Sequence, residues 1–259
     1  MVKHAQRRKI SITKPKSASE QDPRPRWPWR GFLQVFIAGP LTPLFRVKVS
    51  GLENIPDTPS IFCSNHVSYA DSLILFAQTR RRGWKMRFMA KEEIYKIALF
   101  GWALDNAGAF PVARGTADRT ALTLASKALK AGDSLVIFPE GTRVKHTAGT
   151  GDGDSGATDP DAAAALGEAH GGAAWLAIRN GVPVVPVAVA GTERIRPPGT
   201  RLIHFPRVNI HFGAPLDPDD LLPAADYAKK ERIEKLTGLI MERIATALKQ
   251  ARAENAARA

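Results

Sequence analysis

Hydrophobic and polar positions along the chain switch period repeatedly, and the switches lay out strands alternating with helices. Ser60 to Cys63 is a short apolar run that ends a buried strand. A polar turn holding Asn65 and His66 follows, and Ser68, Asp71 and the apolar Leu73, Ile74, Leu75 and Phe76 read as the first turns of a helix. Upstream, Arg46-Val47-Lys48-Val49 alternates as a strand, turned by Gly51 and the loop from Pro56 to Pro59. Downstream, Arg80-Arg81-Arg82-Gly83 closes the first helix with cations where its dipole favours them. Met86 to Ala90 reads as a strand, Lys91-Glu92-Glu93-Ile94 opens a helix, and Gly101-Trp102-Ala103-Leu104 continues the apolar surface.

The same alternation continues. Ala109 to Val112 is a short strand before a helix from Asp118 to Ala131, and Ser134 to Phe138 is a buried strand. Gly172 to Arg179 forms a helix closed by Asn180-Gly181. Val182 to Ala190 is a strongly apolar strand with prolines near its start, and Val208 to Phe212 alternates, with His211 on its polar face. Ile233, Leu236, Ile240, Ile244 and Leu248 recur at helical spacing, so a long amphipathic helix docks on the core, and its Ala- and Arg-rich end is expected to fray. This order predicts an α/β fold: a single domain with a central, mostly parallel sheet flanked by helices. With 259 residues and 44% hydrophobic residues, the chain has material for such a core.

Three stretches break the alternation. Residues 1–26 are basic, polar and Pro-containing, a composition that cannot bury enough surface to order itself, and read as a flexible tail. Residues 27–45 are apolar and, after Arg30, uncharged up to Phe45, but Gln34, Pro40 and Pro43 interrupt them. They fall short of the ~20 apolar residues a membrane-spanning helix needs. Trp27 and Trp29 beside basic residues suit an N-terminal interfacial membrane helix; a helix packed on the domain is the alternative. A cleaved leader is not expected, because the apolar run starts late and lacks a small-residue cleavage pattern. Residues 146–170 are low in complexity and read as a surface insertion. Its Gly151-x-Gly153-x-x-Gly156 follows no strand, its aspartates lack calcium-loop spacing, and Gly153-Asp154-Ser155-Gly156 has no supporting context for a protease nucleophile.

Charge narrows the partners. A formal net charge of +12 calls for an anionic one, and without a nucleic-acid motif or interleaved aromatics a membrane surface or phosphorylated substrate leads, with no nucleic acid expected. The single cysteine, Cys63, excludes an intramolecular disulfide and fits a reducing compartment. No His/Cys/Asp cluster has metal-ligand spacing, so no metal is expected.

The candidate chemistry lies in the turn after the first buried strand. Four residues separate His66 from Asp71, so a turn carries the imidazole and the first helical turn can swing the carboxylate back to one ring nitrogen. That would fix the tautomer and leave the other nitrogen as a base for chemistry near neutral pH. Ser68 and Asp71 also fit a capping box that needs no catalysis, and His66 fits an ordinary exposed turn histidine. Ser64 and Ser68 lack a Gly-x-Ser-x-Gly elbow, which disfavours a serine hydrolase. At other strand ends stand Arg114, and Glu140-Gly141-Thr142-Arg143, where glycine permits close backbone approach and Thr142 and Arg143 offer donors to an anion. Gly191-Thr192 ends another strand, and strand ends of an α/β sheet can share one crevice.

Taken in order, these blocks resemble the glycerolipid acyltransferase family, which includes bacterial 1-acylglycerol-3-phosphate acyltransferases. Asn65-His66 through Asp71 matches its first block, Gly108 to Gly115 its second, Phe138 to Arg143 its third and Val182 to Val187 its fourth. Gly51 to Pro56 and Lys91-Glu92-Glu93 add smaller similarities, so the match runs over roughly residues 46–192. Two departures bear on the acceptor: Ala113 stands where the second block often has aspartate, and the 146–170 insertion replaces a short basic segment.

The resemblance implies an O-acyltransferase of phospholipid biosynthesis, working on a lysophospholipid such as 1-acylglycerol-3-phosphate to give phosphatidic acid. His66 would be the base and Asp71 its partner; Arg114, Arg143 and Thr142 would hold the acceptor phosphate. Glu140 and Gly141 would shape that site, with Lys91 as a further candidate for phosphate or oxyanion. No cofactor is implied beyond acyl-CoA or acyl-carrier protein as co-substrate. The implied organisation is a tail (1–26), a membrane-associated segment (27–45), an acyltransferase domain (46–215) and a C-terminal amphipathic helix (216–259). The implied place is the cytoplasmic face of the cell membrane, as a peripheral or monotopic protein on an anionic surface. The rivals are an ester or thioester hydrolase and a non-enzymatic basic membrane-binding protein.

Overall fold

The computed structural model describes residues 27–79, 85–112, 119–141, 166, 169–197 and 202–258. The basic tail, the Arg80 to Gly83 cluster, Arg114, Thr142, Arg143 and residues 146–165, 167 and 168 of the insertion lie outside them.

Among the described residues seven strands form one sheet: β1 (Lys48–Ser50), β2 (Ile61–Ser64), β3 (Met86–Lys91), β4 (Phe110–Val112), β5 (Ser134–Ile137), β6 (Val184–Ala190) and β7 (Asn209–Phe212). Their order is β1-β7-β6-β2-β5-β3-β4, and every pairing is parallel except β6 with β7. The expected mostly parallel α/β sheet is therefore present. Its central strands are buried on both faces, and alternation decides which layer each residue meets. Ile61, Cys63, Leu135 and Ile137 pack toward α6 (Arg119–Lys130), α7 (Gly172–Asn180) and α9 (Lys229–Ala256). Phe62, Val136, Val185, Val187 and Val189 pack toward the opposite layer, which includes α3 (Tyr69–Gln78) and Leu33.

Pro186 lies inside β6, although proline normally avoids central strands. Here its neighbour β7 has already ended, at the Val187–Phe212 pair, and Pro186 O accepts from Gly213 N at 2.8 Å. The proline thus stands just past the end of the β6–β7 ladder.

The 27–45 stretch forms α1 (Trp27–Phe32), a π-helical turn (Leu33–Ala38) and α2 (Leu41–Leu44). Leu33, Gln34 and Ala38 are buried on the domain, whereas Trp29, Phe32, Phe36 and Ile37 face outward. The reading of a helix packed on the domain therefore holds, with an exposed apolar face on its other side, and the N-terminal interfacial membrane helix gains no support. No helix among the described residues is long and apolar enough to cross a membrane. Arg30 pins the packed side, donating from Nη2 to Met86 O at 2.8 Å and from Nη1 to Ala107 O at 3.1 Å. Burial, and then the nearby Arg87 charge, lower its pKa to about 10.

Two expectations need correction. The C-terminal end does not fray: α9 runs to Ala256, Ala251 is fully buried, and Arg258 donates to Asn209 Oδ1 at 2.6 Å and Arg46 O at 2.9 Å. His211 is buried rather than on a solvated face; its Nδ1 lies 2.9 Å from Ser50 Oγ, which also donates to Glu254 Oε1 at 3.1 Å. In both cases α9 lies along β6 and β7 and covers what would otherwise be an exposed face of the sheet.

Candidate active site

Parallel pairing puts the C-terminal ends of β6, β2, β5, β3 and β4 in one row, in that order. The turns carrying Gly191-Thr192, His66, Glu140-Gly141, Lys91 and the chain leading to Arg114 therefore open on the same end of the sheet. β2 and β5 are neighbours, so His66 and the Phe138–Gly141 turn are brought together.

His66 and Asp71 meet as the spacing predicts. His66 Nδ1 lies 3.1 Å from Asp71 Oδ2. The same carboxylate oxygen accepts from Val67 N and Ser68 N, each at 2.8 Å, while Ser68 Oγ accepts from Ala70 N at 3.2 Å and caps α3. Asp71 is thus both capping residue and imidazole partner, and the two readings of the motif describe one arrangement. Its side chain is fully buried while that of His66 is 15% exposed, so the carboxylate is fixed and the ring reaches the surface. With Nδ1 donating to the carboxylate, Nε2 carries the lone pair, and no hydrogen bond engages it among the described residues.

Phe138, the first residue beyond β5, stacks on the imidazole with centroids 4.1 Å apart and planes 21° apart. The turn then tightens as Gly141 N donates to Phe138 O at 3.0 Å. Gly141 has φ +62°, and a Cβ there would meet the His170 ring, so both backbone conformation and space require glycine. Glu140 is buried beside it. His170 is tied back through its N–H to Pro139 O at 2.9 Å, which draws the end of the insertion against this loop.

Lys91 sits at the end of β3, two strand spacings or ~10 Å from β2. Its Nζ lies 3.0 Å from Glu93 Oε1, and that hydrogen bond holds the Glu93 carboxyl below its usual range. Lys91 is thus paired with Glu93 at the end of β3. Neighbouring nucleophiles are occupied: Ser64 Oγ, fully buried, donates to Asn65 O at 3.1 Å, and Cys63 is buried with its thiol pushed up by desolvation. Among the described residues no group of three or more His, Cys, Asp or Glu is placed to hold a metal ion. Phe138, His170 and the side chain of Asn65 were not singled out from the sequence; the place of Phe138 at the end of an apolar run was the one available signal.

Among the described residues the site is a carboxylate-held histidine at the strand ends of a mostly parallel α/β sheet, with Ser64 and Cys63 buried beneath it. Comparison with known proteins identifies the family. The acyltransferase family model matches residues 46–190, and the chain belongs to the acyltransferase family. It is 33% identical over 179 residues to a chloroplast 1-acyl-sn-glycerol-3-phosphate acyltransferase of Arabidopsis thaliana, covering 67% of this chain and 44% of that one. It is 32% identical over 147 residues to the lyso-ornithine lipid O-acyltransferase of Pseudomonas aeruginosa, covering 56% of this chain and 48% of that one. The chain spans about half the length of these curated relatives. The crystal structure of the 1-acyl-sn-glycerophosphate acyltransferase of Thermotoga maritima shares the fold, with a TM-score of 0.55 at 24% identity over 82% of this chain and 81% of that one.

Proposed function

We propose that this protein transfers a fatty acyl group from acyl-CoA or acyl-carrier protein to the free hydroxyl of 1-acylglycerol-3-phosphate, giving phosphatidic acid. The carrying observation is His66 Nε2, unengaged among the described residues and backed by a buried Asp71 on Nδ1. The acceptor hydroxyl gives its proton to Nε2 as its oxygen attacks the thioester carbonyl. The C–S bond then breaks, and the leaving thiolate takes the proton from the imidazolium. Asp71 steadies that cation without accepting the proton, as carboxylates do behind catalytic histidines. No acyl-enzyme intervenes, which accords with the buried, occupied Ser64 and Cys63. Arg114, Thr142 and Arg143 take the acceptor phosphate, with Glu140, Gly141 and Lys91 shaping the mouth; no other cofactor is needed.

The lipid is met at a membrane surface. Trp29 and Trp102 pack with ring centroids 5.5 Å apart and join the outer face of α1 to α5 (Ala98–Ala107), where Leu99 is 71% and Phe100 54% exposed. With a net charge of +12, this face suits an anionic bilayer. On this reading the protein works as a peripheral or monotopic protein on the cytoplasmic side.

The test offers labelled acyl-CoA and acyl-carrier protein with 1-acylglycerol-3-phosphate, lyso-ornithine lipid or no acceptor, and identifies products by mass. Phosphatidic acid is expected with the first acceptor. Thiol release independent of any acceptor would make the protein a hydrolase; product with lyso-ornithine lipid alone would move the acceptor class.

A further inference from the structure

β6 outruns β2. Their parallel pairing ends at Ser64 with Val187, yet β6 continues to Ala190 and keeps its antiparallel pairing with β7 as far as Ala190 with Asn209. Val189 is fully buried in this overhang and turns its main-chain N–H and C=O toward the side that β2 has vacated. A main-chain residue of β2 could satisfy them only if the strand ran on, which would hold His66 in the sheet. The side chain of Asn65 does it instead. Its Oδ1 accepts from Val189 N at 2.8 Å and its Nδ2 donates to Val189 O at 3.0 Å. A primary amide copies the donor and acceptor of a peptide group, so it completes the edge while releasing the backbone to turn out.

The consequence falls on the next residue. On one flank of His66, Asn65 is anchored to β6 and only 2% exposed; on the other, Val67 N and Ser68 N are held by Asp71 Oδ2. Between two fixed peptides only the side-chain torsions of His66 remain free, and the Asp71 contact and Phe138 stack restrict those.

We propose that Asn65 is a positioning residue for His66: by standing in for a peptide group against Val189, it ends β2 at one residue and aims His66 Nε2 out of the sheet. The chemistry is specific to this side chain. Alanine leaves both Val189 groups bare, glutamine overshoots by one methylene, and aspartate supplies an acceptor for N–H but, when ionised, no donor for C=O. A protonated carboxyl, by contrast, can both accept and donate.

The inference rests on His66 as base, and the experiment separates the two. Full-length Asn65→Ala and Asn65→Asp proteins are compared with wild type for melting temperature, kcat and KM for both substrates, and kcat against pH. Misaligning a reacting group by about an ångström can cost ~10²-fold, so kcat of Asn65→Ala should fall about 10–100-fold with both KM values within about twofold. The ratio of Asn65→Asp kcat to wild type should rise as pH falls and the new carboxyl gains its proton, while the Asn65→Ala ratio stays level. A folded Asn65→Ala with kcat within about twofold of wild type would overturn the proposal. So would an Asn65→Asp ratio that is independent of pH, and this variant carries the test should Asn65→Ala not fold. An activity-independent arm reads the His66 ring nitrogens by 15N NMR. The Nδ1–H tautomer should dominate in wild type and give way to a mixture in Asn65→Ala, and identical spectra would overturn the proposal. If wild type itself transfers no acyl group, the proposed function fails, and the NMR arm still decides the role of Asn65.

Discussion

At Asp71 a single oxygen does the work of a cap and of an imidazole partner, accepting from two peptide N–H groups and lying 3.1 Å from His66 Nδ1. The two tasks can be separated by substitution. His66→Ala removes the base and leaves the cap, so acyl transfer should drop by ~10²–10⁴ with little change in melting temperature. Asp71→Asn keeps the size but can present an amide nitrogen to the imidazole, so kcat should fall while the helix start weakens by about 1 kcal/mol. A folded His66→Ala protein with normal turnover, measured as labelled product per minute, would refute the mechanism. Arg114→Ala should raise KM for the phosphorylated acceptor more than KM for the acyl donor, because the proposed contact of this arginine is with the acceptor's phosphate; equal effects would point to an ion pair of structural use.

At the scale of elements, the N-terminal segment is held by a buried cation. Arg30 spans from α1 to the carbonyls of Met86 on β3 and Ala107 on α5, and its guanidinium lies 5.5 Å from the Phe76 ring centroid. Charged hydrogen bonds contribute about 1.5–3 kcal/mol each, against the desolvation that already lowers the Arg30 pKa. Arg30→Met should therefore destabilise the fold by about 2 kcal/mol, read as a shift in the denaturant midpoint at constant slope. An unchanged midpoint would mean that α1 is held by Leu33 and Ala38 alone. The far end of the chain is held in a comparable way: Arg258 and Asn255 fasten α9 to Asn209, Arg46 and Arg207. That is why a terminus rich in alanine and arginine is ordered.

For the whole molecule, the proposed function asks the site and the apolar face to serve one lipid. α1 and α5 touch through Trp29 and Trp102, and α5 leads directly into β4, which ends among the strand ends that surround His66. Leu99→Ser combined with Phe100→Ser should reduce sedimentation with anionic vesicles several-fold, since each large apolar side chain contributes about 1.5–3 kcal/mol when buried. Turnover of a short-chain, monomeric acceptor should be unaffected. High salt should weaken wild-type binding by screening the basic surface. Undiminished sedimentation of the double variant would move the membrane contact elsewhere.

The local pattern alone determined most of the architecture. Apolar runs of strand length, helical periodicity and glycine stops located the seven strands within a residue or two, because burial on both faces leaves a plain signature. The pairing of His66 with Asp71 was legible for the same kind of reason: strand, turn and helix start lie within a few residues, so local geometry dictates the contact. What the tertiary structure decided depends on partners distant in sequence. Phe138 reaches His66 because β5 pairs with β2, and Asn65 finds Val189, 124 residues away, because β6 overruns that strand. His211 is buried, and the C-terminal end ordered, because α9 lies across β6 and β7. Periodicity reports which face of an element is apolar; it carries no information on which element will cover that face, and these side chains take their roles from that choice.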